Sequence, residues 1–256
     1  MDLQKRQLEG LWLAGRKPLG SESDAAAFMK SVGFALRYNA TASLPLAAMY
    51  KAAGDTRRAI ELTNAILASR EVIESNVIAD RLVLIHRDFA PDVYALRVRR
   101  RAAKWTAHAA KAFRLIDGEG HATSGEVRRF LGIAGQKRPD AADLALAELQ
   151  RDLAIDRGPS SVPPNGIPYL SPEGFPYRVF EKAHKDLVRK AGSIHPSAAA
   201  RRVIEKYLSA AIFVTPRKLL SMFRLLIDDS EMRDVLAALE REGRIVRNSK
   251  QISISP

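Results

Sequence analysis

The stretch that decides the fold is residues 197–255, SAAARRVIEKYLSAAIFVTPRKLLSMFRLLIDDSEMRDVLAALEREGRIVRNSKQISIS. Its apolar residues recur at helical spacing in three short runs. Thr215-Pro216 is typical of the start of the second helix, Ser230 is the expected cap of the third, and Gly243 stands where the third should stop. The residues beyond it alternate around a polar turn, which predicts a β-hairpin. Three short helices followed by a hairpin are typical of a winged helix, a common DNA-binding unit.

The middle of the chain repeats this order. An apolar stripe over Trp105–Ile116 predicts a first helix, Thr123–Glu126 is a capping box for a second, and Pro139–Leu153 is the expected third. Tyr177–Phe180 is the expected returning strand. The Pro- and Gly-rich residues 158–176 between them are therefore predicted to form an enlarged wing.

The first hundred residues are interpreted as a helical module, with a third winged-helix-like unit as an alternative. Helical patterns cover Leu3–Leu13, Asp24–Leu36, Leu44–Ala53 and Ala59–Ile73, with Ser21 or Ser23 as the cap of the second. A short strand is expected at Leu82–Ile85, with Asp92–Val98 as its return.

The predicted fold class is mainly α with short β-hairpins, built as tandem winged-helix modules. The expected divisions are residues 1–101 for the N-terminal module, 102–191 for the middle winged helix and 192–256 for the C-terminal one. Phe180–Ala191 is the predicted basic linker helix at the end of the middle division.

Composition favours a polyanionic partner. Lys and Arg total 41 against 29 Asp and Glu, which gives a net charge of +12, and 46% of residues are hydrophobic, as expected of a folded basic protein. The absence of Cys excludes disulfides and Cys-ligated zinc. Neither a membrane span nor a secretory signal is expected, so we predict a cytoplasmic, nucleoid-associated protein with no membrane partner.

The densest basic run lies within Val93–Ile116, which contains no Asp or Glu. Such a run can neutralise several phosphates, although a solvated helix face would have the same composition. The residues predicted to contact nucleic acid, across all modules, are Arg97, Arg99, Arg100, Arg101, Lys104, Arg128, Arg129, Lys137, Arg138, Arg178, Arg217, Lys218, Arg244, Arg247 and Lys250.

Both predicted third helices begin with carboxylates. The C-terminal one carries Asp228, Asp229 and Glu231, and the middle one carries Asp140 and Asp143. These side chains would face phosphates if the helices entered a major groove, so we expect backbone contacts and recognition of DNA shape instead of base sequence. The same acidic helices offer a surface for a protein partner.

Several strings resemble the winged-helix DNA glycosylases of the AlkZ type. They are Leu146–Leu153 ahead of a strand, the large wing that follows, the helix Ser197–Leu208, and, more faintly, Ser31–Phe34 and Asp92–Leu96. The resemblance is best over residues 104–256. It implies a DNA-repair protein that cradles duplex DNA in a basic groove.

The resemblance also implies a catalytic pair, Gln-any-Gln or Gln-any-Asp, just before the first winged unit, and this chain has none there. Gln150-Arg151-Asp152 matches the letters at the end of the middle unit's third helix, where Gln150 and Asp152 are interpreted as solvated residues. Glu119, Asp80, Asp88 and His121 are further acid or base candidates, each more simply a turn or surface residue. The weak catalytic candidates are therefore Glu119, Gln150 and Asp152.

Other chemistries lack sequence support. The five His residues have no metal-site spacing, His86 is expected to be partly buried and hydrogen-bonded, and neither a P-loop nor a dinucleotide fingerprint is present. No metal or nucleotide cofactor is predicted. The aromatic residues Tyr169, Phe175, Tyr177 and Phe180 around the enlarged wing are interpreted as a small core, with DNA stacking as the alternative.

The sequence therefore predicts a duplex DNA-binding protein of genome maintenance that contacts the phosphate backbone and has no catalysis of its own. Two alternatives stay open. One is a glycosylase that removes alkylated or bulky bases, and the other is a winged-helix transcription regulator that reads an operator.

Overall fold

The computed structural model describes residues 3–38, 44–102, 104–135, 137–160, 173–248 and 250–255. Over these residues the chain is mainly helical with small β-sheets, which confirms the predicted fold class at that level. None of the helices in these ranges combines the length and the apolar composition that a bilayer span requires.

The first unit is a four-stranded sheet covered by helices. Its elements are α1 (Leu3–Gly10), α2 (Glu22–Val32), β1 (Phe34–Leu36), β2 (Ala47–Ala48), α3 (Met49–Ala53), α4 (Thr56–Ala68), β3 (Val72–Ile78), β4 (Arg81–His86) and α5 (Ala90–Val98). The strand order is β2-β1-β4-β3, with β1 and β2 parallel and the other pairs antiparallel. Ala79 and Asp80, at φ 55° and 52°, make the two-residue turn between β3 and β4.

Parts of the first unit differ from the prediction. Gly33, at φ 75°, ends α2, so Phe34–Leu36 forms a strand where continued helix was predicted. Asp92–Val98 lies in α5 and is not a returning strand, because Pro91 in the first turn favours a helix start and β4 already pairs with the preceding β3. The predicted cap Ser21 is confirmed, since its side chain accepts a hydrogen bond from the backbone of Asp24.

The middle unit follows the predicted order of helices and strands, while residues 161–172, most of the predicted enlarged wing, lie outside the described residues. Its elements are α6 (Ala107–Glu119), β5 (His121–Thr123), α7 (Ser124–Phe130), α8 (Ala141–Arg151), β6 (Ile155–Arg157) and β7 (Pro176–Val179), with the sheet order β5-β7-β6. The capping box of Thr123 and Glu126 is confirmed. The predicted linker helix is two helices, α9 (Phe180–Ala183) and α10 (Lys185–Ala191), because the backbone of His184 leaves the helical region at ψ 45°.

The C-terminal unit has the same order. Its elements are α11 (Pro196–Ala211), β8 (Phe213–Val214), α12 (Pro216–Phe223), α13 (Asp229–Arg241), β9 (Ile245–Arg247) and β10 (Ile252–Ile254), with the sheet order β8-β10-β9. Thr215 caps α12 as predicted. The cap of α13 is Asp228 and not Ser230, because Asp228 accepts from the backbone of Glu231 while the Glu231 side chain accepts from that of Asp228.

One order of elements therefore recurs along the chain: helix, strand, two helices, and a strand pair whose last strand is central in the sheet. In the first unit β4 holds that central position between β1 and β3. The additional strand there is β2, which extends the sheet beyond β1.

The hydrophobic core joins the first and last units. Phe34 of β1 lies 6.4 Å from Phe223 of α12, measured between ring centroids, and both belong to one continuous cluster that includes Tyr207. The middle unit has its own cluster around Ile116, Leu149 and other apolar residues of α6 and α8. The division at residues 101 and 191 stays a prediction, but the chain's two ends share one core.

Candidate nucleic-acid interface

The basic run that follows α5 lies where the units meet. Arg97 is 6% exposed, and its guanidinium forms a salt bridge with Asp152 at the end of α8. It also donates to the carbonyl oxygens of Arg151 at 2.7 Å and Leu225 at 3.1 Å. Arg97 therefore links the first unit to both others and has almost no surface to offer a phosphate.

Arg99 and Arg100 bind the start of α13. Arg99 pairs with Glu231, and Nη2 of Arg100 lies 2.6 Å from Oδ2 of Asp228 and 2.7 Å from Oε2 of Glu231. Burial opposes ionisation of Glu231, yet hydrogen bonds from Arg99, the Asp228 backbone and Arg100 hold its pKa below the ordinary value. The acidic end of α13 is thus occupied by arginines of the chain itself, which weakens its prediction as a surface for a protein partner.

Arg101 joins the same segment to α9. Its Nη1 lies 2.9 Å from Oε1 of Glu181, and its other nitrogens donate to the carbonyl oxygens of Asp152 and Leu153. The hydroxyl of Tyr94 donates to Glu181 at 2.6 Å. Burial, and then this hydrogen bond, raises the pKa of Tyr94 to about 12. We call Arg97, Arg99, Arg100 and Arg101 the junction arginines.

A second group of predicted arginines forms salt bridges with the carboxylates at the start of α8. Nε of Arg128 lies 2.7 Å from Oδ2 of Asp140, and Arg128 also pairs with Asp143. Nη2 of Arg138 lies 2.9 Å from Oδ1 of Asp143. Burial opposes ionisation of Asp143, but the hydrogen bond from Arg138 and its further partners lower its pKa. Arginines of the chain therefore pair with both carboxylates at the start of α8 and with Asp228 and Glu231 at the start of α13.

Four further predicted arginines pair with carboxylates, three of which are at least partly exposed. The pairs are Arg129 with Glu173, Arg178 with Asp156, Arg244 with Glu205 and Arg247 with Glu240. Salt bridges of this kind at a surface contribute little to stability. Arg129, Arg244 and Arg247 can therefore exchange a carboxylate for a phosphate oxygen at small cost, whereas the Asp156 partner of Arg178 is buried.

The other predicted contacts carry no salt bridge within the described part of the chain. They are Lys104, Lys137, Arg217, Lys218 and Lys250, which are exposed except for the half-buried Lys218. Arg217 and Lys218 lie in the first turn of α12, and Lys250 lies in the turn between β9 and β10. These five residues are the free cations of the predicted interface.

The catalytic candidates are not brought together. Gln150 and Asp152 are each 2% exposed, so their interpretation as solvated helix-end residues is wrong. Asp152 accepts from Nε1 of Trp105 at 2.6 Å as well as from Arg97. Both of its oxygens are therefore bound within the protein, where the first and middle units meet. Glu119 is exposed at the end of α6, beside a cavity of about 450 Å³ that Lys111 also lines.

His86 is a buried, hydrogen-bonded residue. His86 is 3% exposed and accepts from the backbone of Asp88 at 3.3 Å, as its predicted partly buried role requires. Burial lowers its pKa, despite the nearby carboxylates of Asp88 and Glu71. Within the described ranges no group of His, Asp and Glu side chains is arranged to hold a metal ion.

A buried charged cluster between β3 and β6 was not predicted from the sequence. Glu74 pairs with Arg37 and, at 2.9 Å, with Arg157, and the guanidinium of Arg157 lies 3.9 Å from the centroid of the Phe175 ring. Glu74 and Arg157 are 83 positions apart, so no local pattern could have paired them. The cluster joins the first unit to the middle one.

The aromatic residues of the returning strand are core residues. Phe175 and Tyr177 are 6% and 4% exposed and pack in the core of the middle unit, as predicted, whereas Phe180, 0% exposed, belongs to the larger core that joins the first and last units. Tyr169 lies outside the described residues. Stacking on nucleic acid by the three buried rings is excluded in this conformation.

The comparisons with known proteins give one structural likeness to report. The fold is similar to that of the Streptomyces sahachiroi DNA glycosylase AlkZ, with a TM-score of 0.59 and 13% sequence identity over 98% of this chain and 68% of that one. No model of a protein family matches the sequence, and no curated protein matches it either. Because the likeness extends over nearly the whole chain, it includes all the repeated units. At 13% sequence identity, this likeness shows a similar fold and does not assign an activity.

Proposed function

We propose that this protein binds duplex DNA through the phosphate backbone and acts in genome maintenance, associated with the nucleoid, without excising bases itself. The observation that carries the proposal is the fold shared with a DNA glycosylase over 98% of the chain. We interpret the repeated units as winged helices, since their element order and their central last strand are those of that motif.

Arginine and lysine differ in how often they form salt bridges in this structure, and the difference supports this function. Arginines form nearly all the salt bridges among the described residues, and Lys182 with Asp117 is the lysine pair there. Arg suits such pairing because its planar guanidinium binds a carboxylate with two N–H groups, whereas Lys is a hydrated point charge. Most lysines of the described residues are thus left without a carboxylate partner and can bind phosphates in a sequence-independent way.

The occupied third helices argue against reading a base sequence. The start of α13 is held by Arg99 and Arg100, and the start of α8 by Arg128. A recognition helix would need those ends free for the major groove. Recognition of DNA shape through backbone contacts therefore suits the structure better than the operator-binding alternative.

The excision of a base needs an accessible acid or base beside an extruded nucleotide. Gln150 and Asp152 are buried, and Glu119 stands without a paired acid or base among the residues described. The name of the similar protein is what favours the second candidate, a glycosylase. We place the glycosylase second because the described residues include no exposed pair of these catalytic candidates.

A binding titration tests the proposal. A fluorescent duplex of random sequence is titrated with the protein at several NaCl concentrations, and the slope of log K against log salt should be about −0.9 per contacted phosphate. Replacing Lys104, Lys137 and Lys250 by Gln should make the slope shallower. A control that replaces Lys17, Lys30 and Lys51 by Gln accounts for net charge. Binding that does not change with salt would refute the proposal.

A further inference from the structure

A cavity of about 450 Å³ lies between the first unit and the α9–α10 turn, and no predicted interface residue lines it. Its charged lining comes from several elements: Arg70 after α4, Arg87 after β4, Lys182 on α9, and Lys185 and Lys190 on α10. Among the described residues that line the cavity, Asp186 carries the one carboxylate, and it pairs with Arg189 at 3.0 Å. The cavity thus collects cations without an equal number of anions.

Three of these cations have no ion-pair partner in the described part of the chain. Arg87 is bound to Glu71 and Lys182 to Asp117, which leaves Arg70, Lys185 and Lys190. Like charges gathered around a concavity repel one another, and a bound anion relieves that repulsion. The volume is also in the range of cavities that hold small ligands.

Local structure constrains the backbone of two segments that carry these cations. Arg70 has φ 60°, in the left-handed region that non-glycine residues rarely adopt. On the other side, Nε2 of His184 lies 2.7 Å from Oδ2 of the buried Asp156, and this contact anchors the turn that presents Lys185. The cations therefore face the cavity from anchored segments.

We propose that this cavity binds a phosphomonoester, held by Arg70, Lys185 and Lys190. A phosphomonoester carries close to two negative charges at neutral pH, which matches a cluster of unpaired cations better than a singly charged phosphodiester. A concave site also suits the end of a strand or a small phosphorylated molecule better than the continuous backbone of a duplex. The site does not depend on the backbone contacts proposed above.

Calorimetric titration of the full chain with phenyl phosphate tests the site, and phenyl sulfate serves as the singly charged analogue. We expect saturable binding of phenyl phosphate and at least about tenfold weaker binding of phenyl sulfate. In the variant Arg70→Gln, Lys185→Gln, Lys190→Gln, phenyl phosphate should bind about tenfold more weakly or worse. The control Lys17→Gln, Lys30→Gln, Lys51→Gln should bind it like the wild type. All six positions are exposed, and thermal melts of both variants verify folding.

Duplexes with 5′-phosphate or 5′-hydroxyl ends identify the source of the phosphate. A preference for phosphorylated ends that disappears in the Arg70, Lys185 and Lys190 variant assigns the site to a strand end. Equal affinity for the two duplexes, with phenyl phosphate still bound, assigns it to a free phosphorylated molecule. Absent or non-saturable binding of phenyl phosphate, equal binding of the sulfate, or equal losses in the two variants would each overturn the proposal. Binding of 5′-hydroxyl duplex reports separately on the backbone contacts.

Discussion

Arg97 and Asp152, at the ends of α5 and α8, form a salt bridge whose side chains are 7% and 3% exposed. The two residues come from different units, and the other oxygen of Asp152 accepts from Trp105. The densest basic run of the sequence, within Val93–Ile116, thus begins with Arg97, whose side chain is buried in a salt bridge. Its neighbours Arg99, Arg100 and Arg101 bind carboxylates of the C-terminal unit and of α9.

Asp152→Asn should lower the free energy of unfolding by about 3–5 kcal/mol, because it leaves the Arg97 charge buried without its partner. Asp186→Asn is the matched control, since the Asp186 and Arg189 side chains are 86% and 79% exposed. That change should cost less than about 1 kcal/mol. Urea denaturation followed by circular dichroism measures the free energy of unfolding of both variants. Equal losses in the two variants would show that the buried Arg97–Asp152 pair contributes no more than an exposed pair.

Replacing both Arg99 and Arg100 by Gln should lower the melting temperature and leave the salt dependence of DNA binding almost unchanged. These side chains already neutralise Asp228 and Glu231, so they release few counterions from DNA. The variant Lys104→Gln, Lys137→Gln should show the opposite pattern. Thermal melts and anisotropy titrations give the two readouts. A shallower salt slope in the arginine variant would return these residues to the interface.

The full chain should release no base from an alkylated duplex above the level of a heat-inactivated sample. The reason is that Gln150 and Asp152 are buried and Asp152 is engaged by Arg97 and Trp105. Alkaline cleavage at abasic sites, resolved on a denaturing gel, is the measurement. Base release that Glu119→Gln or Gln150→Ala abolishes would establish the glycosylase alternative.

Stability should fall as the pH drops below the ordinary histidine pKa of about 6.5. Burial lowers the pKa of His86 in the folded state, so below that pH the unfolded chain binds a proton that the folded chain does not. Above it both states are neutral at this position, and no contribution remains. The decline should continue until the pH has fallen through the folded-state pKa.

His86→Gln should remove this part of the pH dependence, whereas a substitution of the exposed His121 by Gln serves as the control. Urea denaturation at several pH values between about 7 and 5 measures the difference. The same decline in wild type and His86→Gln would show that the buried imidazole is not its source.

Local signals predicted much of the secondary structure correctly. The Thr123–Glu126 capping box, the Thr215-Pro216 helix start and the apolar spacing of α11 act between residues a few positions apart, and each is found. Errors arose where a helical pattern runs into a strand. Phe34–Leu36 is such a case, because a short apolar run fits a buried strand as well as a helix.

The candidate interface was less predictable, for a physical reason. A row of arginines has the same sequence whether it faces phosphates, solvent or carboxylates, and the partner of Arg100 is 128 positions away. The cavity lined by Arg70 and Lys190 likewise combines residues that are distant along the chain. Sequence reasoning could find the cations but not their counterions.

By itself, the sequence determined the repeated order of short capped helices and strands and the excess of positive charge, because capping, periodicity and composition are local or additive properties. The tertiary structure alone decided which cations are used internally, that Gln150 and Asp152 are buried, and that the chain's two ends share one core. Those outcomes depend on contacts between distant segments, and such contacts form only when the units pack together.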